Sequence, residues 1–493
     1  MSSSVDHPRK KRVMCRSVWL RRLRTKTGRH HGSRVLLSRD RGPYCQIGDI
    51  SVVAKITTPV LELDKLPEDV LPQIHSRVPL RDAARVACVS HSFLRSWRRF
   101  PNLTFHWKPL GLAMNMDASE MAKKLVDIIH HIIANHSGYG VKALKLEVRP
   151  CHNAITANHL NIWLQAAVKS GIEKLVLDPP RGLEFNFPCP LLCRAANSLQ
   201  SLSLSSCAFH PTLAIGCLRN LRSLCLTLVH ITEEELGCFF SSAISLEQLQ
   251  LSECPEITFL KIPSDLQQIR ILEVFRCIRL QVIEIDATKI TTFSFGGPPI
   301  KILINDSSQL KVVHMNGSYY SGMFQYTLTE LHSIASNLRT LILFSSREAF
   351  NMQISTKKFL HLKRFFLSAG QRYNLVQDSI LEDSNANSFD IRRVPEFHHD
   401  NLKDVTITRF CSAKSLIELT CQILESYSSL QRLVLDTAGA YDGIGICENM
   451  NKKGVMEALR GVRAIKKYVY GKVPARVNFE VLEPCERCHI SKL

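Results

Sequence analysis

A chain of 493 residues is too long for one compact core and points to two or three domains, while 45% hydrophobic and 22% charged residues match globular protein. No run of about 18 apolar residues offers a membrane span, and the basic first 42 residues never become the apolar segment of a secretory signal. Seventeen cysteines, scattered through apolar patterns, fit reduced thiols in the cytosol or nucleus rather than a disulfide framework.

The net charge of +19 changes meaning once it is located, because residues 1–42 carry 13 Lys and Arg against two Asp. The other 451 residues hold only +8, which does not make the body a nucleic-acid-binding surface. Residues 1–50, rich in Arg, Ser and Gly, read as a basic disordered arm. Within it Arg9-Lys10-Lys11-Arg12 fits a nuclear import signal, and equally a solvated tail with no address. An organellar presequence is a third reading, although the clustered charges trace no amphipathic helix.

Residues 63–100 carry three short helical patterns. The first opens at Leu66-Pro67, a proline suited to a first helical position, with Glu68 and Asp69 near the positive helix end. Val70, Leu71 and Ile74 follow on one face, and Pro72, which has no N–H, predicts an irregular opening to that helix. Pro79 breaks the chain before Leu80 to Cys88. Ser90 caps a third helix in which Phe93 and Trp97 share a face. So short a segment buries too little surface to stand alone, so its apolar faces need a partner in this chain or another.

The ordered pattern Leu66-Pro67, Asp69-Val70-Leu71, Ile74, Pro79-Leu80-Arg81-Asp82-Ala83-Ala84, Val89-Ser90, Phe93 and Trp97 resembles an F-box, in particular the plant form. The resemblance implies docking on a Skp-type adaptor, which bridges to a cullin ubiquitin ligase. It also implies that Leu66, Pro67, Leu71, Ile74, Pro79, Leu80, Val89 and Ser90 face that adaptor or shape the surface that does. The plainer reading is a helical cap on whatever domain follows.

Residues 101–140 read as a helical linker, with Met121, Leu125, Ile128, Ile129 and Ile132 at helical spacing. From there a template of three apolar positions recurs thirteen times, from Val141/Leu144/Leu146 to Leu430/Leu433/Leu435. Most intervals lie in or near the leucine-rich-repeat range. Cys207, Cys254 and Cys277 stand where that template accepts Asn or Cys, and are expected to be buried and inert. Thr232-Glu233-Glu234-Glu235 predicts a helix start, and Leu160 to Val168 and Ser415 to Leu424 predict further helices on the return. The fold class expected is α/β: a small three-helix module, then a leucine-rich-repeat solenoid over 141–440 with a curved parallel sheet and helices or turns outside. Between Ile269 and Leu310 the units shrink to about ten residues, which predicts bare turns on their backs. The stretch Phe293-Ser294-Phe295-Gly296-Gly297, and that from Asp400 through Leu435, resemble segments of plant F-box proteins with degenerate repeats. Residues 441–493 read as a cap and tail.

The search for chemistry returns little. Cys485-Glu486-Arg487-Cys488-His489 has a haem-attachment spacing and two candidate zinc ligands, but no second Cys/His pair stands nearby. The paired histidines His130-His131 and His398-His399 lack partners at ligand spacing, and no nucleotide, hydrolase or zinc-protease motif occurs. The closing Ser491-Lys492-Leu493 is a peroxisomal address in form, set against the nucleus and cytoplasm that an F-box implies. The expectation is a substrate receptor with no catalytic, metal or cofactor residue and an unknown target protein. A repeat scaffold without a ligase is the alternative. A nucleic-acid binder using residues 9–41 is a third reading.

Overall fold

The computed structural model describes residues 70–485 apart from 89, 107–109, 111–116, 138–140, 150, 152–153, 169–170, 214–215, 217, 346–358, 370–400 and 440–449. The basic arm with Arg9-Lys10-Lys11-Arg12, the Leu66-Pro67 dipeptide, Val89, His398-His399, Cys488-His489 and Ser491-Lys492-Leu493 lie outside these residues. Among the described residues no helix is long and apolar enough to cross a membrane.

Three short helices come first: α1 (Val70–Ser76), α2 (Leu80–Ala87) and α3 (His91–Trp97). The described part of helix α1 includes Pro72, and the opening at 66–69, where irregularity was expected, lies outside the described residues. Pro79 stands directly before α2, and the Ser90 hydroxyl accepts a hydrogen bond from the Phe93 N–H at 3.3 Å to start α3.

The segment read as linker holds a strand as well as a helix. Strand β1 (Asn102–Phe105) leads to the long helix α4 (Ala118–Asn135), and only then to β2 (Ala143–Glu147). Strand β1 pairs with β2 in parallel, so the sheet begins one strand earlier than the repeat pattern indicated. The sheet then takes β3 (Lys174–Asp178), β4 (Ser201–Ser205), β5 (Ser223–Thr227) and β6 (Gln248–Ser252). Next come β8 (Ile271–Phe275), β10 (Thr292–Gly296), β12 (Val312–Gly317), β13 (Thr340–Ser345) and β14 (Arg364–Ala369). The last three are β15 (Asp404–Thr408), β16 (Arg432–Asp436) and β17 (Asn478–Leu482), giving fourteen strands in one sheet.

The register explains why the repeat pattern works. Leu144, Leu175, Leu202, Leu224, Leu249, Leu272, Phe293 and Val313 are successive partners across parallel strands, and Leu341, Phe365, Val405, Leu433 and Phe479 continue the column. Strand side chains alternate faces, so this column and the one two residues on point into a single continuous core. After β4, β5, β6, β8 and β15 the chain turns off the sheet through a left-handed residue: Ser206, Leu228, Glu253, Arg276 and Arg409, with φ between 52° and 57°. That turn sends the next side chain back inward, which buries Cys207, Cys254 and Cys277. Burial pushes the Cys207 thiol up to about 12, so it stays protonated and unreactive.

The backs of the short repeats are not bare turns. Leu280/Ile283/Ile285, which fits the repeat template, lies on strand β9 (Val282–Ile285) of a second sheet. That sheet runs parallel in the order β11 (Lys301–Ile304), β9, β7 (Phe259–Ile262). The true repeats here are β8, β10 and β12, whose first residues lie 21 and 20 residues apart, and each back is a return strand. Roughly ten residues per return is too few for a helix of two turns with its loops, yet enough for a strand.

Most of the other described returns are helical. They include α5 (Ala157–Ala167), α6 (Pro190–Ala195), α7 (Glu233–Ser242), α8 (Met323–Thr329), α9 (Leu331–Ile334) and α10 (Lys414–Ser426), and α11 (Lys452–Tyr468) precedes β17. Helix α7 opens with the reciprocal cap that its sequence predicts: the Thr232 N–H donates to the Glu235 carboxylate at 2.9 Å, and the Glu235 N–H to the Thr232 hydroxyl at 3.3 Å.

Candidate protein-interaction surfaces

Two surfaces follow from this architecture: the helical module at the start, and the outward face of the long sheet. The module does not stand apart. Leu80 and Ala83 of α2 share one apolar core with Phe100, Leu103 and Phe105 around β1, Leu125 and Ile129 of α4, and Leu144 of β2. Hydrogen bonds reinforce the join: the Ser137 N–H donates to the Arg98 carbonyl at 2.8 Å, and the Lys142 N–H to the Pro101 carbonyl at 2.8 Å. Much of the partner that these short helices need is therefore supplied by the same chain.

That packing sorts the residues singled out from the sequence. Leu71 and Leu80 are 2% and 5% exposed and belong to the interior, where they shape the surface from beneath. Ser90 serves as the cap of α3. Ile74 is 38% exposed, and Pro79 is exposed at the start of α2. A single exposed apolar side chain is ordinary on a protein surface, so Ile74 draws its interest from the F-box pattern that singles it out. Leu66, Pro67 and Val89 lie outside the described residues.

The sequence reading missed a neighbouring feature. An open hollow of about 340 Å³ lies between α2 and α4, walled by Leu80, Ala84, Cys88, Leu110, Ile128 and Ile132. Arg81 and Arg85 stand at its rim. The signal was present, since 80, 84 and 88 share a face of α2 and 128 and 132 a face of α4. Nothing in the sequence brings the two faces together.

The outward face of the sheet changes character along its length. From β2 to β6 it shows half-buried small or polar side chains such as Lys145, Ser203, Cys225 and Gln250. From β8 onward it becomes aromatic, with His314 buried and Phe275, Phe344 and Phe366 half-buried. Phe275 meets His314 at 6.0 Å between ring centres, His314 meets Phe344 at 5.1 Å, and Phe344 meets Phe366 at 5.8 Å. Phe275 and His314 are not on adjacent strands, because β10 runs between them. The Phe275 ring crosses β10 over Gly296, where a Cβ would lie 2.6 Å from the Phe275 Cδ1. The glycine of the Phe-Ser-Phe-Gly-Gly stretch is thus the floor on which this aromatic row rests. The Arg276 guanidinium stacks 4.6 Å over the Tyr319 ring and pairs with Glu253 at 3.0 Å.

Glu273, Ser294 and His314 sit side by side on β8, β10 and β12. Nucleophile activation needs the histidine between serine and acid. Here the serine is in the middle, and its hydroxyl is buried without a hydrogen bond. The trio is not a hydrolytic triad. Among the described residues no cluster of three or more His, Cys, Asp or Glu is placed to hold a metal ion. Cys485 is half-buried in the described part of the tail. His130 packs edge-on to Trp163 at 5.5 Å, and His159 stacks on the same indole.

Comparison with known proteins agrees with both parts of the chain. An F-box domain model matches residues 63–105, and the model described as At1g61320/AtMIF1, LRR domain, matches 132–375 and 364–486, well over half of the chain. F-box/FBD/LRR-repeat protein At2g04230 of Arabidopsis thaliana is 26% identical over 179 residues, covering 36% of this chain and 38% of that protein. F-box/FBD/LRR-repeat protein At1g13570 of the same plant is 28% identical over 192 residues, covering 38% and 44%. The chain therefore spans about two fifths of the length of the curated relatives it matches. A leucine-rich repeat protein of Bacteroides ovatus, 9% identical, aligns over 70% of this chain and 82% of its own with a TM-score of 0.15, too distant to bear on function. The F-box helices, the register-locked leucine column and the family matches converge: the chain belongs to the At1g61320/AtMIF1 LRR-domain family of plant F-box and leucine-rich-repeat proteins.

Proposed function

We propose that this protein is the substrate-recognition subunit of a Skp–cullin–F-box ubiquitin ligase. An F-box joined to leucine-rich repeats is a protein-interaction adaptor, and the proposal assigns each half a partner. The F-box holds a Skp-type adaptor, which connects to a cullin, and the outward sheet face holds a target protein. The subunit itself makes and breaks no bond. Tethering raises the effective concentration of target lysines beside the charged conjugating enzyme, which replaces a bimolecular encounter with an intramolecular one.

The observation that carries this reading is the shared core through Leu80, Ala83, Phe100, Leu103 and Leu144. A tether acts through geometry, and a core shared by the F-box helices and the first strands supports a fixed separation of adaptor and target. The Ile74 surface beside Pro79 supports the docking assignment, since it leaves apolar area for a partner at the position that the F-box resemblance singles out. The test is capture of purified Skp-type adaptor by the full chain and by its Ile74→Glu variant. Capture by the wild type and loss in the variant support the assignment; equal capture by both overturns it.

The same reading places the protein in the nucleus and cytosol. A fluorescent fusion at the N-terminus, imaged with and without Arg9–Arg12 replaced by Ala, tests this. Punctate signal that vanishes when Leu493 is deleted would instead favour a peroxisomal address.

A further inference from the structure

Helix α11 carries a column of basic residues, only partly matched by acids, on the face turned away from the core. Its inner face is fixed: Val455, Ala458, Val462 and Ile465 are buried, and a Cβ on Gly461 would lie 3.1 Å from the Phe410 carbonyl. The buried Glu457 carboxylate accepts from the Ser412 hydroxyl at 2.7 Å and from the Ser412 N–H at 3.2 Å, which pins the helix against rotation. The outer face is therefore presented rigidly. It reads Lys453, Met456, Arg460, Arg463 and Lys467 on the helix and Tyr470 in the 3-10 turn that follows it, at intervals of three, four, three, four and three residues. Met456 and Tyr470 are 42% and 60% exposed, and Tyr470 is propped edge-on against Phe479 of β17 at 5.6 Å.

Nearby acids are spent elsewhere. Residues 450–485 hold eight Lys and Arg against three Glu. Glu457 reaches Arg460 at 3.5 Å, Glu483 reaches Lys466 at 3.3 Å and Glu480 reaches Arg432 at 3.1 Å. Lys453, Arg463 and Lys467 have no ion-pair partner among the described residues.

We infer that this column is a second docking surface, for an acidic amphipathic helix of a partner protein with carboxylates at its centre and an apolar side chain at each end. The spacing averages 3.4 residues, close to the 3.5-residue period along which one helix follows another. From Lys453 to Tyr470 the column is about 25 Å long, enough for about five turns of a partner. Charge complementarity demands an anion. A phosphate backbone would satisfy the cations and leave Met456 and Tyr470 in water, whereas a helix with apolar ends covers them. A membrane surface fits less well, because the apolar face of α11 is already committed to the core. The inference goes beyond adaptor docking and uses no residue of the F-box.

The experiment measures fluorescence anisotropy of the full chain with three probes: a helical peptide of roughly 20 residues with Glu at four seam positions and Leu at both ends, its Glu→Gln counterpart, and a single-stranded RNA of about 20 nucleotides. Two variants accompany the wild type: K453E/R463E/K467E and M456S/Y470S. Thermal melting equal to wild type shows that each is folded. The expected result is binding of the Glu peptide alone, weakened at least about tenfold in both variants. Tighter binding of RNA than of peptide, insensitive to M456S/Y470S, would overturn the inference in favour of a phosphate-binding stripe. Failure of the wild type to bind the Glu peptide would reduce the column to a solvated face. Since neither variant touches the F-box, adaptor capture by these same proteins separates this outcome from the fate of the ligase reading.

Discussion

Gly296 and Glu233 show how single positions hold the surfaces in place. A methyl group on Gly296 meets the Phe275 ring, and the ring has nowhere to go without leaving His314. Gly296→Ala is expected to cost about 1–3 kcal/mol, the range for overpacking a filled site. Urea denaturation checks this, and an unchanged midpoint would show that the ring moves freely. Glu233 works through charge. Burial disfavours its carboxylate, but hydrogen bonds from the Thr258 hydroxyl and the N–H groups of Thr258 and Phe259 outweigh it and lower its pKa to about 2. A carboxylate with a depressed folded pKa stabilises fully above its unfolded value and loses that contribution as pH falls through the folded one. The stability gap between wild type and Glu233→Gln should therefore be widest near pH 7 and narrow steadily below about pH 4.5. A gap that does not change with pH would mean that the charge contributes nothing.

At the scale of elements, the return strands are the clearest departure from the sequence pattern. Ile283 is fully buried on β9, so Ile283→Ala should cost about 2–5 kcal/mol, as for other large-to-small changes in cores. A bare turn would lose little, and a loss near zero in a denaturation series would restore that description. The reason for the confusion is physical. Leu280/Ile283/Ile285 and Leu249/Leu251 show the same alternation, because alternation reports one buried face of a strand and not which sheet the strand joins. Assignment to the second sheet depends on partners β7 and β11, whose pairing no local pattern shows. Strand β1 was hidden for another reason: four residues directly after the F-box helices offer too short a window to read. Twelve of the fourteen strands of the main sheet, β1 and β17 apart, were legible because each repeats one template, and α7 because its cap is chemically explicit in Thr232 and Glu235. Of the candidate site, Ile74 was legible from the F-box pattern. The hollow beside α2 was not, since its walls come from helices some forty residues apart in sequence.

For the whole molecule, the central consequence is mechanical. F-box helices that share a core with the first strands transmit position and not merely attachment. On the ligase reading, a flexible linker inserted between the F-box helices and β1 is expected to leave adaptor binding intact while spoiling the geometry of transfer. In this chain Leu80 and Ala83 lie in the shared core itself, so Leu80→Ala or a polar change at either position would confuse unfolding with loss of docking. Ile74 reduces the ambiguity, because it is 38% exposed and is not one of the residues of the shared core. The decisive measurement is the affinity of the full-length protein for purified Skp-type adaptor, by calorimetry, beside Ile74→Glu at matched thermal stability. The ligase reading predicts a one-to-one complex with the wild type and at least about a tenfold loss in the variant, the effect of removing an interface anchor. A folded wild type with no affinity for the adaptor would contradict it and leave a leucine-rich-repeat scaffold in its place.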